Sequence, residues 1–223
     1  MKAYLTSAFI LSTLLALSKD KGIGVVYVAS DLKGKVQVNI YEKGDLESKL
    51  LGVFISQDLG NGQTTYSVQA KNIWTDNLIE FDYEKLGLPL CGISGRWLNV
   101  IYGYDKVGKA LTGWIEKNNG ATDYFLWKSY LKSVMLFFES PEQIEFFEKP
   151  YGVKIVFELQ PSQNLRYDYI MKPLELNGDW MKVEVTTPSN YCNTPMKKRT
   201  ETFWIKYLDQ NGRPLVWYFT RGC

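Results

Sequence analysis

Apolar and polar residues alternate along several short stretches of this chain, as they do in strands that bury one face. Residues 36–40 read Val-Gln-Val-Asn-Ile, and residues 97–102 and 180–185 alternate more loosely. Residues 151–159 are a further strand candidate. Asn-Gly pairs, which favour tight turns, punctuate the sequence; they are Asn61-Gly62, Asn119-Gly120, Asn177-Gly178 and Asn211-Gly212. The pattern predicts an all-β fold.

One segment has helical spacing instead. Trp127, Tyr130, Leu131 and Val134 recur at intervals of three or four residues, with polar residues between them. Asp123 is a candidate N-cap. We expect a short helix over residues 124–133, with a strand as the alternative.

Four features of the first half of the chain recur in the second half in the same order. Gly95-Arg-Trp97-Leu-Asn-Val100 recurs as Gly178-Asp-Trp180-Met-Lys-Val183, and Trp114-Ile recurs as Trp204-Ile. The next tryptophan follows 13 residues later in both cases, and Tyr41-Glu-Lys43 recurs as Phe147-Glu-Lys149. The intervals between the features differ, as insertions in surface loops allow. The sequence therefore predicts two repeats, residues 22–133 with an insertion and residues 134–223.

The motif of the first repeat resembles the bacterial SH3-like (SH3b) domain family. Gly95-Arg-Trp97-Leu-Asn-Val100 is followed by Gly108-Lys109-Ala-Leu-Thr-Gly113-Trp114-Ile115. The second repeat departs from the pattern because Phe203 precedes Trp204 where the family has glycine. The resemblance implies two tandem SH3-like β-barrels, joined here by the short helix. It also implies an exported protein that binds peptidoglycan, although no catalytic domain accompanies the two repeats.

The N-terminus has the features of a signal peptide. Lys2 precedes a ten-residue apolar run, residues 8–17, and Ala16-Leu17-Ser18 offers small residues for cleavage. Ten residues are too few to span a bilayer, which takes about 20. We therefore expect residues 1–18 to be removed and the mature protein to be secreted or periplasmic, without stable membrane insertion. A buried N-terminal helix is the alternative.

Composition and charge exclude several classes of function. The 223 residues carry a net charge of +2, from 26 basic and 24 acidic side chains. So even a balance does not indicate binding to nucleic acid. The chain has no histidine, so Ser-His-Asp and Cys-His hydrolases and His-ligated zinc are excluded. It has no Cys-x-x-Cys pair and no phosphate-binding glycine loop. We expect no metal, no cofactor and no catalysis; an enzyme using a carboxylate pair, such as Asp82 with Glu84 or Glu142 with Glu145, is the weakest alternative.

Export would place the three cysteines in an oxidising compartment. Cys192 and Cys223 both lie in the C-terminal half, and we predict a disulfide between them, although sequence leaves the connectivity open. Cys91 is interpreted as structural, because no activating partner is evident.

Aromatic residues are the candidate ligand contacts. Trp97 and Trp180 are interpreted first as core residues and alternatively as the lining of a ligand groove. Tyr102 and Tyr104 are expected on an exposed loop, and Tyr167 and Tyr169 are the equivalent candidates in the second repeat.

The leading hypothesis is a non-catalytic binding protein for cell-wall peptide or glycan. The alternative is an envelope protein–protein interaction or inhibitor module. Aromatic side chains converging on a groove would favour the first, and an exposed apolar patch or sheet edge would favour the second.

Overall fold

The structure is a computed structural model that describes residues 20–28, 34–60, 63–82, 85–117, 121–159, 168–189 and 198–218. These residues form two curled antiparallel sheets with very little helix. In the part of the chain that the structure describes, no helix has the length and hydrophobicity needed to cross a membrane. The predicted signal peptide and the predicted disulfide lie outside the described residues.

The first sheet contains the strands from residues 24 to 126. They are β1 (Gly24–Val28), β2 (Lys35–Tyr41), β3 (Leu50–Gly60), β4 (Gln63–Ala70), β5 (Thr75–Asp76), β6 (Ile79–Asp82), β7 (Lys85–Ser94), β8 (Trp97–Tyr104), β9 (Ala110–Glu116) and β10 (Thr122–Leu126). Their order is β10-β1-β7-β8-β9-β2-β3-β4, with β5 beside β8 and β6 beside β7.

A helix, α1 (Trp127–Tyr130), and a 3-10 turn (Leu131–Ser133) lead into the second sheet. A second 3-10 turn, Pro141–Gln143, lies within it. The strands are β11 (Leu136–Phe138), β12 (Phe146–Phe147), β13 (Lys154–Ile155), β14 (Ile170–Asn177), β15 (Trp180–Thr187), β16 (Arg199–Lys206) and β17 (Val216–Tyr218). Their order is β13-β12-β16-β15-β14-β11-β17.

The two sheets have the same strand order. When the second is listed from β17, it runs β17-β11-β14-β15-β16-β12-β13, which corresponds strand for strand to β10-β1-β7-β8-β9-β2-β3. The registers also correspond: Leu98 lies opposite Ile115 as Met181 lies opposite Ile205. The turn before each central strand uses a glycine with positive φ, 58° at Gly95 and 60° at Gly178, as a two-residue hairpin requires. Within the described residues, β4, β5 and β6 have no counterpart in the second sheet.

The apolar side chains form two clusters. One fills the concave side of the first sheet, with Leu88, Leu98, Val100 and Ile115 completely buried. The other lies mainly in the second sheet but also includes Val25, Ile79 and Phe81 of the first. The two sheets therefore share a core.

Hydrogen bonds and ion pairs reinforce the contact between the sheets. The hydroxyl of Tyr130 donates to the carbonyl of Phe81 at 2.6 Å, and that of Tyr218 donates to the carbonyl of Glu80 at 3.0 Å. Arg213 lies 3.2 Å from Asp20, and Lys21 pairs with Glu139. The hydrogen bonds join β6 to α1 and β17, and the ion pairs join the segment before β1 to residues next to β11 and β17.

The all-β prediction is confirmed, and residues 36–40, 97–102 and 180–185 all lie in strands. The SH3-like identity of the barrels and the division at residue 134 stay predictions.

Two predicted elements need correction. The helix begins at Trp127, because residues 122–126 pair with β1 as a strand; Asp123 therefore lies in β10 and is not the N-cap of the helix.

Residues 151–159 do not form one strand. Only Lys154–Ile155 is paired, and Tyr151, Val153 and Val156 are exposed. A turn closed by the Gly152 amide hydrogen bond to the Lys149 carbonyl, at 2.9 Å, returns the chain to β12, with which it pairs over those two residues alone.

Candidate ligand-binding cleft

An aromatic cluster occupies the convex face of the first sheet, where β8, β9 and β2 lie side by side. Trp97 is opposite Glu116, and Tyr41 is opposite Trp114. The rings of Trp97 and Tyr41 meet edge to face, with centroids 5.8 Å apart and an interplanar angle of 85°, a favourable aromatic geometry. Strand alternation produces this face, because Leu98, Val100 and Ile115 point to the core instead.

Backbone from the β2–β3 loop covers the Trp97 ring. A Cβ atom on Gly44 would lie 2.9 Å from Cγ of Trp97, so only glycine fits there without displacing the ring. Trp97 is consequently 8% exposed although it lies on the convex face. It supports the site without offering much surface of its own.

A charged pair borders the cluster. Nη1 of Arg96 lies 3.2 Å from Oε1 of Glu116, and the guanidinium lies 5.8 Å from the centre of the Trp97 ring. The Arg96 side chain is largely exposed, so the ion pair contributes little to stability. Its arrangement leaves the Glu116 side chain beside the open end of the cluster.

A cleft opens where β2 separates from β9, since the two strands pair only at Tyr41 and Trp114. Its volume is about 160 Å³, below the roughly 300–1,000 Å³ of pockets for drug-sized ligands. The size matches a single sugar ring or side chain. It is lined by Gln37, Val38, Asn39, Tyr41, Glu116, Ala121 and Thr122.

The lining combines an aromatic ring with amide, hydroxyl and carboxylate groups. Nδ2 of Asn39 donates to the Tyr41 hydroxyl at 3.1 Å, and the Thr122 hydroxyl donates to the Glu116 carbonyl at 3.1 Å. Gln37 and Asn39 are exposed on β2. A few convergent polar groups next to an aromatic wall can orient a polar ligand by hydrogen bonds.

The second sheet repeats the aromatic cluster. Phe147 lies opposite Trp204, as Tyr41 lies opposite Trp114. The rings of Trp180 and Phe147 meet edge to face, with centroids 5.0 Å apart and an angle of 90°. Here Tyr151 covers the indole, with its ring centroid 5.2 Å from that of Trp180. Three of the four recurring features, which contribute Trp97 and Trp180, Trp114 and Trp204, and Tyr41 and Phe147, therefore build the same arrangement in both sheets. The fourth pair, Trp127 and Trp217, lies outside it, with the two rings 4.9 Å from each other.

The tyrosines singled out from the sequence do not line this cleft. Tyr102 was expected on an exposed loop but lies in β8 and is 5% exposed, because its side chain points into the core of the first sheet. Tyr104 is half-buried at the end of the same strand, and its hydroxyl accepts a hydrogen bond of 3.0 Å from the backbone amide of Asp20. Neither offers an open surface to a ligand.

Tyr169 is also buried, and its hydroxyl accepts a hydrogen bond of 2.8 Å from the backbone amide of Phe138. Burial raises the pKa of Tyr169 to about 12. Its position is structural, which corrects its expected place at a ligand surface. Tyr167 lies outside the described residues.

Sequence reasoning missed the polar residues of the cleft. The alternation of residues 36–40 already placed Gln37 and Asn39 on the face opposite the core. No local sequence pattern predicted that Glu116 and Thr122 belong to the site, because the separation of β2 from β9 in the folded chain brings them to the same cleft.

Groups for other chemistries are not assembled in the described part of the chain. No cluster of three or more Asp, Glu or Cys side chains there could hold a metal ion. Glu116 is the one carboxylate in the cleft lining. Asp82 pairs with Lys85, and Glu145 pairs with Lys154. Burial, and secondarily Asp20, raises the pKa of the half-buried Cys91 thiol to about 11, which disfavours a reactive thiolate.

Comparison with protein-family models, with curated proteins and with solved structures finds no match for this chain.

Proposed function

We propose that this chain is an exported, non-catalytic binding protein whose cleft between β2 and the start of β10 holds a sugar ring or short peptide of the cell wall. The observation that carries the proposal is the lining of the cleft, in which Gln37, Asn39 and Glu116 converge beside Tyr41. Aromatic rings suit the apolar face of a sugar or a side chain, and the amides suit its hydrogen-bonding groups. The SH3-like character of the two sheets belongs to the same proposal.

Rigidity supports this assignment. Tyr41 is fixed between Trp97 and the Asn39 amide, and Trp97 is fixed by Gly44. Side chains already held in place lose little conformational entropy when a ligand binds. A small, open cleft of this kind would bind one unit of a repeating polymer weakly.

The experiment is co-sedimentation of the mature protein, from Lys19 onward, with purified peptidoglycan sacculi over a range of salt. We expect binding that persists as salt rises, because most of the proposed contacts are uncharged hydrogen bonds and ring contacts, and Glu116 is the one charged residue in the lining. Asn39→Ala should reduce the bound fraction several-fold. Gln210→Ala, at an exposed amide in the turn before β17 of the second sheet and outside the cleft lining, is the matched control and should bind normally.

If no protein sediments with sacculi at any salt, the proposal fails. Equal loss in Asn39→Ala and Gln210→Ala would place the binding surface elsewhere.

The alternative function, interaction with another envelope protein or its inhibition, is favoured by a different observation. Tyr151, Val153 and Val156 are 86%, 72% and 91% exposed within one short segment. Apolar side chains grouped at a surface are typical of protein contacts. Cross-linking in intact cells, followed by recovery of the protein with any bound partner, tests this alternative. A single partner that is lost in Val156→Lys would support it. Partners unchanged in Val156→Lys would show that this segment is not the contact surface.

A further inference from the structure

The strand β4 ends the first sheet with an unused edge. Its one described neighbour is β3, to which it pairs from Gln63 opposite Gly60 to Ala70 opposite Gly52. Within the described ranges, no strand pairs with its other side. An eight-residue edge presents a row of backbone N–H and C=O groups that another strand can use.

The remaining sheet edges are protected in ways that β4 is not. β13 has two residues and β17 has three, which are too short to template pairing. β10 carries Phe125, whose ring packs against the core shared by the two sheets. β4 reads Gln-Thr-Thr-Tyr-Ser-Val-Gln-Ala, without a charged residue or a proline. It therefore lacks the residues that usually block edge-to-edge association.

The two faces of β4 differ. Tyr66 and Val68 are half-buried and pack against the core of the first sheet, where the Tyr66 ring lies 6.4 Å from that of Phe54. Thr65, Ser67 and Gln69 are exposed on the opposite face. A strand added to this edge would continue both faces, so it needs apolar residues on one side and uncharged polar residues on the other.

We propose that the occupant of this edge is the same strand of a second copy of the chain, paired antiparallel about a two-fold axis at Ser67. In this register Tyr66 faces the partner's Val68, and Thr65 faces the partner's Gln69. From residue 65 to residue 69, apolar residues meet apolar ones and polar residues meet polar ones. Because the strand is uncharged, two identical copies bring no like charges into opposition.

The position of the axis follows from the pattern. Opposed residues must lie on the same face for the two sheets to share a concave side, so the axis passes through a residue and not between two. An axis at Tyr66 would place Val68 opposite Thr64, mixing apolar and polar residues. An axis at Val68 would pair a shorter part of the strand and bring Lys71 opposite Thr65. Ser67 gives the longest matched ladder.

The interface is small, so the association is expected to be weak and dependent on concentration. Analytical ultracentrifugation of the mature protein over a wide concentration range tests it directly. The weight-average mass should rise towards that of two chains. Ser67→Lys, which places two ammonium groups across the axis, should abolish the rise. Thr112→Lys makes the same charge change at an exposed position on β9, a strand with neighbours on both sides, and should leave the rise unchanged.

Cysteine cross-linking tests the register. Residues directly opposite in an antiparallel pair have Cα atoms about 4.5–5.5 Å apart, within the range that a disulfide bridges. Ser67→Cys should therefore form a covalent dimer under oxidation, well above the wild-type background from the native cysteines. Thr65→Cys would lie four residues out of register with its own copy, about 14 Å along the strand, and should stay at background.

A protein that stays monomeric at every concentration, a dimer insensitive to Ser67→Lys, or equal cross-linking of the two cysteine variants would each overturn the proposal. None of these results depends on binding to sacculi, so this inference and the proposed function can fail separately.

Discussion

At the scale of single residues, Tyr151 breaks a local rule. Its φ is 58°, in the left-handed region that glycine and asparagine tolerate and bulky residues avoid. Pro150 precedes it, and Gly152 donates the hydrogen bond that closes the turn to Lys149. A turn of this kind prefers glycine at the position that tyrosine occupies. Since 86% of the tyrosine surface is exposed, burial recovers little of the cost.

We predict that Tyr151→Gly stabilises the protein. Relief of the left-handed conformation, offset by the larger entropy loss of glycine, should raise the free energy of unfolding by roughly 0.5–1 kcal/mol. Urea denaturation measures the change. Tyr151→Ala is the control, because alanine removes the ring and keeps the strained φ, so it should bring no gain. Identical effects of the two variants would show that the backbone is not strained there.

The buried hydroxyl of Tyr169 leads to a prediction about stability at alkaline pH. Burial raises the pKa of Tyr169 from its ordinary value of about 10 to about 12, so the neutral phenol is favoured in the folded protein. The stabilisation is complete below pH 10, where the unfolded chain is also neutral, and is lost as pH rises through the folded pKa. Tyr169→Phe removes this dependence but leaves the Phe138 amide without its hydrogen bond.

We therefore expect Tyr169→Phe to be less stable than wild type near neutral pH by roughly 1–3 kcal/mol. That difference should shrink by roughly 2 kcal/mol between pH 10 and pH 12. Urea unfolding at a series of pH values provides the measurement. A difference that stays constant across this window would mean that Tyr169 ionises equally in the folded and unfolded chains.

At the scale of elements, α1 depends on its surroundings. Four residues are far too few for a stable helix in isolation. Trp127 holds it in place: the side chain is completely buried, its Nε1 donates to the Lys21 carbonyl at 2.8 Å, and its backbone amide donates to the Ile23 carbonyl at 2.9 Å. The helix is thus attached to the segment before β1.

Trp127→Phe should cost roughly 1–3 kcal/mol, because the Lys21 carbonyl loses its partner, and Trp127→Ala should cost roughly 3–5 kcal/mol through the cavity. Thermal unfolding followed by circular dichroism distinguishes the two. Trp217, half-buried and 4.9 Å from the Trp127 ring, provides a matched control: Trp217→Phe should cost less than Trp127→Phe. The reverse order would refute the anchoring role of Trp127.

The same elements show how far sequence patterns reach. Strands β2 and β15 were predictable because each buries one face, which imposes alternation on residues 36–40 and 180–185. The alternation of residues 97–102 is looser because β8 also buries Trp97 and Ile101 on its other face. The start of α1 was not, because pairing with β1 draws residues 122–126 into a strand despite their position in a helical pattern. In the cleft, the alternating pattern predicted that Gln37 lies on the exposed face of β2. The position of Thr122 was not predictable, because it depends on where β2 separates from β9 in the folded chain.

At the scale of the whole molecule, the two sheets share one core. Phe81 belongs to the first sheet and is 3% exposed, yet it packs in the cluster dominated by the second. Its carbonyl accepts the hydrogen bond of Tyr130, and its ring lies 4.9 Å from that of Tyr27. Two sheets with matching strand order are therefore joined by a shared buried cluster and not by an open linker.

Unfolding should accordingly be cooperative across both sheets. Phe81→Ala removes a large side chain from the shared core and should cost roughly 3–5 kcal/mol. Hydrogen–deuterium exchange with mass spectrometry should show faster exchange in β15 and β16 of the second sheet as well as in β7 and β8 of the first, because buried strands then open through the same global step. Val107→Ala, at a residue 87% exposed, should leave both sheets unchanged. Loss of protection confined to the first sheet would show that each sheet unfolds independently, and the shared core would then be a contact between two autonomous units.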